Sequence, residues 1–213
     1  MHRERKALKI ELLSHTPVDK VREAVTEGSL SDSELLPHIS FTFAVEDISR
    51  ACSHQLVRHR VASFSQQSQR YTPIRRLKER VIVPPSIEEK TRSQFDEHID
   101  SASKTYETMV RAGVPREDAR FVLPNATETH LLLTMDSQSL LHFLGLRCCT
   151  RAQWEIKTLA DRMLVELRRA APKIFKRAGP YCFQLGQCPE GRFTCGKMKE
   201  VAEKYGSKVQ YSA

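Results

Sequence analysis

Apolar and polar positions along the chain fall into two repeating spacings. Residues Ala7 to Ser14 and Ile39 to Val45 carry short apolar runs with alternation and β-branched or aromatic residues, the pattern of a pleated, half-buried strand. Thr129 to Thr134 predicts a third strand. Arg92 to Ala112 places Phe95, Ile99, Ala102, Tyr106, Met109 and Val110 at helical spacing, and Ala152 to Ala171 does the same with Ile156, Leu159, Ala160, Met163, Leu164 and Leu167. Shorter helices are expected over Pro17 to Thr26, Glu46 to Arg58, from Pro115 to Phe121, and over Ser137 to Leu146. In the second of these, Glu46 and Asp47 would sit in the first turn, where carboxylates suit the macrodipole. Gly28 to Glu34 and Tyr71 to Arg80 read as loops, and Ser65 to Arg70 as too polar for a core element. Val81 to Val83 ends at the Pro84-Pro85 break. Beyond Pro172 the chain turns rich in Gly, Pro and Cys, and Lys197 to Lys208 reads as a solvated helix or frayed end.

Composition narrows the classes. A chain of 213 residues, 40% hydrophobic and 28% charged, can bury one core. It holds no apolar run of about 18 residues, so no membrane-spanning helix is expected. Met1 to Lys9 is charged with no apolar stretch behind it, which speaks against a secretory leader. The six cysteines include the adjacent Cys148 and Cys149, which suits a reducing cytoplasm better than a disulfide framework. A net charge of +8 attracts phosphates of any kind.

Charge concentrates in one place. Arg58, His59, Arg60, Arg70, Arg75 and Arg76 are interleaved with Gln55, Ser65, Gln66, Gln67 and Ser68. Guanidinium groups match phosphate oxygens two bonds at a time, and amides and hydroxyls read ring edges. The mixture points to a nucleotide or flavin phosphate, although arginines near a helix end are often only a solvated face. Ser68 lacks a Gly-x-Ser-x-Gly elbow and is not read as a hydrolytic nucleophile.

The stretch ISRACSHQLVRHRVASFSQQSQRYTP contains Arg58-His59-Arg60, seven residues, then Ser68, with Arg70 two further on. It resembles the signature of flavin-dependent thymidylate synthases, the thymidylate synthase complementing protein family. Two later blocks, ARFVLPNATETHLLLT and HFLGLRCCTRAQWEI, are similar to that family in the same order. The resemblance implies an α+β fold, with residues 1–213 as a single mixed α/β domain whose central antiparallel-rich sheet is flanked by long helices. It implies reductive methylation of dUMP to dTMP, with methylenetetrahydrofolate giving the carbon and NADPH-reduced FAD the hydride. It also implies a cytoplasmic homotetramer with shared active sites, no nucleic-acid or membrane partner, and no metal.

By motif position the resemblance places Gln55, Arg58, Gln66, Gln67, Ser68, Gln69, Arg70 and Arg120 at dUMP. Arg147 is the expected catalytic residue, its cation set against the uracil ring as N3 ionises. The flavin set is Glu34, Arg58, His59, Arg60, Gln66, Asp136, Gln138 and His142. Taken without the family, Arg120 would be a helix-surface arginine, Arg147 a cation at a helix C-terminus, and His142 a core histidine. The chain departs from the family pattern in a shorter N-terminal region. It also has Pro37 and Glu34 where a Glu and a small hydroxyl residue are usual, Asp136 in place of Asn, and Gln138 in place of a frequent Arg. An Asn-to-Asp exchange removes two donors and adds a charge. Weaker or altered flavin binding is therefore the expectation.

Five residues separate Cys182 from Cys188, and six separate Cys188 from Cys195. Without a Cys-x-x-Cys knuckle they read first as free thiols, and a zinc site would need a fourth ligand. Two other functions stay open at the level of sequence. One is a degenerate relative that binds nucleotide without flavin turnover. The other is a basic nucleic-acid-binding protein, against which stands the lack of stacking aromatics other than Phe64 and Tyr71.

Overall fold

The computed structural model describes residues 7–24 and 31–206. Positions 1–6, 25–26, 28–30 and 207–208, which the sequence reading assigned to the charged N-terminus, a helix, a loop and the tail, lie outside them. Strand β1 (Lys9–His15) is followed by the short helices α1 (Val18–Glu23) and α2 (Asp32–Leu35) and a 3₁₀ turn at Leu36–His38. Strand β2 (Ser40–Ser49) leads into α3 (Arg50–Leu56) and β3 (Ser63–Gln66). After a 3₁₀ turn at Leu77–Glu79 come α4 (Glu89–Arg111), α5 (Arg116–Ala119) and strand β4 (Glu128–Asp136). The chain ends in helices: α6 (Ser137–Arg147), α7 (Trp154–Ala170), α8 (Pro172–Phe175), α9 (Tyr181–Leu185) and α10 (Met198–Gly206). The four strands form one antiparallel sheet in the order β1-β2-β4-β3, so the expected α+β class holds.

Contacts divide the chain into two compact units. The first contains Val45–Gln55 and Ser65–Leu131, with residues 7–9. Its core gathers Ile99, Ala102 and Tyr106 of α4 against Ile74, Leu77 and Ala119. The second contains Leu56–Phe64, residues 10–24 and 31–44, and residues 132–206. There the whole apolar stripe read on α7 is buried, together with Leu140, Phe143 and Leu144 of α6. Truncating one such leucine to alanine costs about 2–5 kcal/mol.

Four local readings need correction. The strand at Ile39 does not stop at Val45 but runs through Ser49, so Glu46 and Asp47 are in β2 and not in a helical first turn. Asp47 has φ +57°, and its N–H donates to Nδ1 of His130 in β4. The helix starts only at Arg50, after Ser49 Oγ has accepted the N–H of Cys52. Tertiary pairing and a serine cap outweigh the dipole preference of two carboxylates. The polar stretch before Leu35 is helical from Asp32, because Ser31 and Glu34 form a capping box. The basic segment before Arg80 buries Ile74 and Leu77, and Ser63–Gln66 forms an edge strand despite its polarity. The C-terminal tail is also packed. Tyr205 of α10 is buried, and its hydroxyl lies 2.6 Å from Asp161 Oδ1 and donates to the Cys148 carbonyl at 3.0 Å.

Candidate active site

In the second unit, α6 carries three of the expected site residues, Gln138, His142 and Arg147. Its start is fixed twice. Asp136 Oδ1 accepts the N–H of Ser139 at 2.7 Å, and the buried Ser137 donates from both N–H and Oγ to the Ile39 carbonyl. That pinning sets the azimuth of the helix. Gln138 and His142 then share a face one turn apart, and Arg147 is the last residue.

The loop after α3 brings its basic triplet to this helix. His59 is half-buried, while Arg58 and Arg60 are exposed. The His59 ring meets Phe143 edge-on at 5.0 Å and His142 at 5.9 Å. Its Nε2 accepts a hydrogen bond from Arg147 Nε at 3.0 Å. An acceptor nitrogen carries no proton, so the ring holds its proton on Nδ1. Burial first, then the charges of Arg147 and His142, push the His59 pKa down to about 4. At neutral pH a neutral imidazole therefore orients a guanidinium.

These groups open on a cleft of about 700 Å³ lined by Arg58, His59, Arg60, Asp136, Gln138, His142 and Arg147, with Pro37, Val61, Ser139 and Leu146. That volume is typical of small-molecule sites. Cationic side chains and ring faces together suit an anionic ligand with a planar ring. Of the residues expected at flavin, the second unit brings six (Arg58, His59, Arg60, Asp136, Gln138 and His142) beside the basic Arg147. Glu34 is not among the cleft residues: it is exposed, and its Oε2 accepts from Ser31 N at 2.8 Å and Ser31 Oγ at 2.7 Å. Those bonds hold its carboxyl below the usual range. Its observed contact is a helix cap. Asp136 also caps a helix, while standing in the cleft wall.

Of the residues expected at the nucleotide, all but Arg58 and Arg147 belong to the first unit. Gln66 Nε2 donates to Thr129 Oγ1 at 3.1 Å, and Gln67 N donates to the His130 carbonyl. Gln55 stays local to α3, donating toward the Ala51 carbonyl. Ser68 forms a turn, its Oγ accepting Arg70 N and its carbonyl accepting Thr72 N, and Gln69 is half-buried within that turn. Arg70 reaches Glu117 Oε2 with Nε at 2.6 Å and Nη2 at 2.5 Å, which raises its pKa through that bond. Arg120 Nε donates to the Glu117 carbonyl.

Two residues escaped the sequence reading. Arg50 is half-buried, and desolvation followed by the charge of Arg120 lowers its pKa, so two guanidinium groups face one environment in the first unit. Tyr181 of α9 places its hydroxyl 2.5 Å from His142 Nδ1. Its ring lies so close to Gly145 that an added Cβ would meet it at 2.8 Å. A glycine in the interior of a leucine-rich helix was the available signal for that close approach.

Residues 13–173 match the model of the thymidylate synthase complementing protein family. A flavin-dependent thymidylate synthase of Geobacter sulfurreducens is 46% identical over 224 aligned positions, covering 91% of this chain and 96% of its own length. Another, of Clostridium tetani, is 45% identical over 188 positions, covering 80% and 74%. Among solved structures, Helicobacter pylori thymidylate synthase X with FAD and dUMP superposes with a TM-score of 0.64 at 22% identity. That match covers 79% of this chain and 97% of the other, a likeness of fold. The chain belongs to the thymidylate synthase complementing protein family.

Proposed function

We propose that this protein is a flavin-dependent thymidylate synthase, reductively methylating dUMP to dTMP. The carrying observation is the cleft that gathers Arg58, His59, Arg60 and His142 with an Arg147 held by a neutral imidazole. The donor set fits FAD: two exposed guanidinium groups for a diphosphate, and ring faces and amides for an isoalloxazine. Arg58, His59, Arg60, Gln138 and His142 would hold it, with Gln66. Bound and reduced by NADPH, the flavin supplies the hydride, and methylenetetrahydrofolate supplies the carbon.

Arg147 is the proposed catalytic residue. Its guanidinium stays protonated and stabilises the negative charge that spreads over the uracil as N3 ionises, which makes C5 nucleophilic. His59 keeps that guanidinium in one orientation and adds no competing charge. Gln55, Arg58, Gln66 to Arg70 and Arg120 are the proposed contacts of the nucleotide, with Ser68 and Arg70 at its phosphate. For Arg70 this requires the phosphate to displace or share the carboxylate of Glu117.

Residues 1–213 are proposed to act as one such domain within a homotetramer whose copies share active sites. Six free cysteines suit a cytoplasmic setting. Nothing observed favours nucleic-acid binding or a relative without turnover. Tritium release from 5-tritiated dUMP, in the presence of FAD, NADPH and methylenetetrahydrofolate, tests the reading. Release that needs all three supports it, and bound flavin with no dUMP-dependent release contradicts it.

A further inference from the structure

From Leu185 to Lys197 every side chain is exposed except those of Cys188 and Cys195. This segment has no hydrophobic anchor of its own, and its one regular element is a single 3₁₀ turn at Gly191–Phe193. Both thiols line a cavity of about 300 Å³ together with Cys182 of α9 and Cys149, two residues past the end of α6. The remaining cysteines, Cys52 and Cys148, are fully buried and do not line it. Four half-buried thiols from separate stretches of chain thus converge on a segment whose other fastening is Arg151, which donates to the Phe193 carbonyl and lies over its ring.

The surroundings are those of thiolate ligands. Cys195 sulfur receives hydrogen bonds from the Thr150 hydroxyl and the Lys197 N–H. Gly196, at φ +73°, turns the chain so that Lys197 N faces back toward that sulfur. Cys182 stands within electrostatic reach of Cys188, Cys149 and Cys195. Hydrogen bonds from backbone and hydroxyl donors are the outer shell that steadies metal-bound sulfur. Arg147 and Arg151 also line the cavity, and cations offset a dianionic centre.

We propose that Cys149, Cys182, Cys188 and Cys195 form a tetrathiolate site for a structural zinc ion, which staples the tail to the end of α6. Binding takes one zinc ion and releases the four thiol protons to solvent, with no change of oxidation state. A filled tetrahedral site, with zinc–sulfur bonds of about 2.3 Å, holds its sulfurs about 3.8 Å apart. Among the described residues the only three ligand atoms within 4.8 Å of one another belong to Asp47, Glu128 and His130. The thiols therefore close on the ion by side-chain rotation. The carboxylate cluster is already served by Lys9 and Arg80 and carries no site. The staple also has a functional consequence. It fixes Cys182 beside Tyr181, the residue that holds His142.

The test is elemental analysis of the full chain, purified under reducing conditions with zinc supplied. About one zinc per chain is expected, falling to background in Cys188→Ser and in Cys195→Ser and unchanged in Cys52→Ser. Should those variants fail to fold, the wild type still decides. Zinc released stoichiometrically as four thiols are titrated, with new protease cleavage between Leu185 and Lys197, supports the site. Wild-type protein without zinc, zinc retained in both serine variants, iron in its place, or a disulfide between any two of the four overturns it.

Discussion

His59 joins the basic triplet to Arg147, the proposed catalytic residue, and its protonation is expected to set the pH behaviour of the site. Its folded pKa is about 4 against an ordinary 6.5, so between those values the unfolded chain binds more protons than the folded one. Stability is full above 6.5, falls as pH drops through that window, and levels off below about 4. Thermal melts across this range should show that slope, and His59→Gln should flatten it. Protonation would also place a cation against Arg147, so dUMP turnover should fall as pH drops through about 4. Arg58, His59 and Arg60 were legible as a phosphate-seeking group from residue types alone. The neutrality of His59 was not, because it arises from Phe143, His142 and Arg147, far away in sequence. Tyr181→Phe removes the hydroxyl on His142 and leaves the ring on Gly145. A several-fold rise in the flavin dissociation constant with an unchanged melt is expected, read by flavin fluorescence.

Helix α6 is the element on which the site depends. Its existence followed from apolar spacing, and its bounds from Ser137 to Leu146 came within one residue. What periodicity could not show is how its azimuth is set, because the Ile39 carbonyl lies just before β2, 98 positions away in sequence. The same limit hid the extension of β2, where a bond from Asp47 to His130 overrides a helical first turn. Gly145→Ala should destabilise the fold by about 1–3 kcal/mol, since a methyl group must displace the Tyr181 ring. A lower melting temperature together with weaker flavin binding is the expected pair of readings. Asp136→Asn separates cap from charge. Asparagine caps as well as aspartate, so stability should hold within about 0.5 kcal/mol. Removing a carboxylate from the cleft should tighten flavin several-fold, and an unchanged affinity would mean that Asp136 does not face the cofactor.

For the whole molecule, the net charge of +8 announced an anionic ligand without naming it. The three sequence blocks named a family, and the fold and relatives agree with them. By sequence alone the tail holds three thiols and calls for no metal. The chain then folds Cys149, from the third block, onto the same cavity. Such convergence is set by tertiary packing and leaves no trace in local spacing. Light scattering should give about four times the 24.4 kDa chain mass if active sites are shared among four copies. The central claim rests on Arg147, and the most direct measurement is dUMP-dependent tritium release by Arg147→Ala beside the wild type, both with FAD bound and both folded. A loss of about 10²-fold or more in kcat, the usual cost of one electrostatic stabiliser, is predicted; release within a factor of two of the wild type would contradict the account.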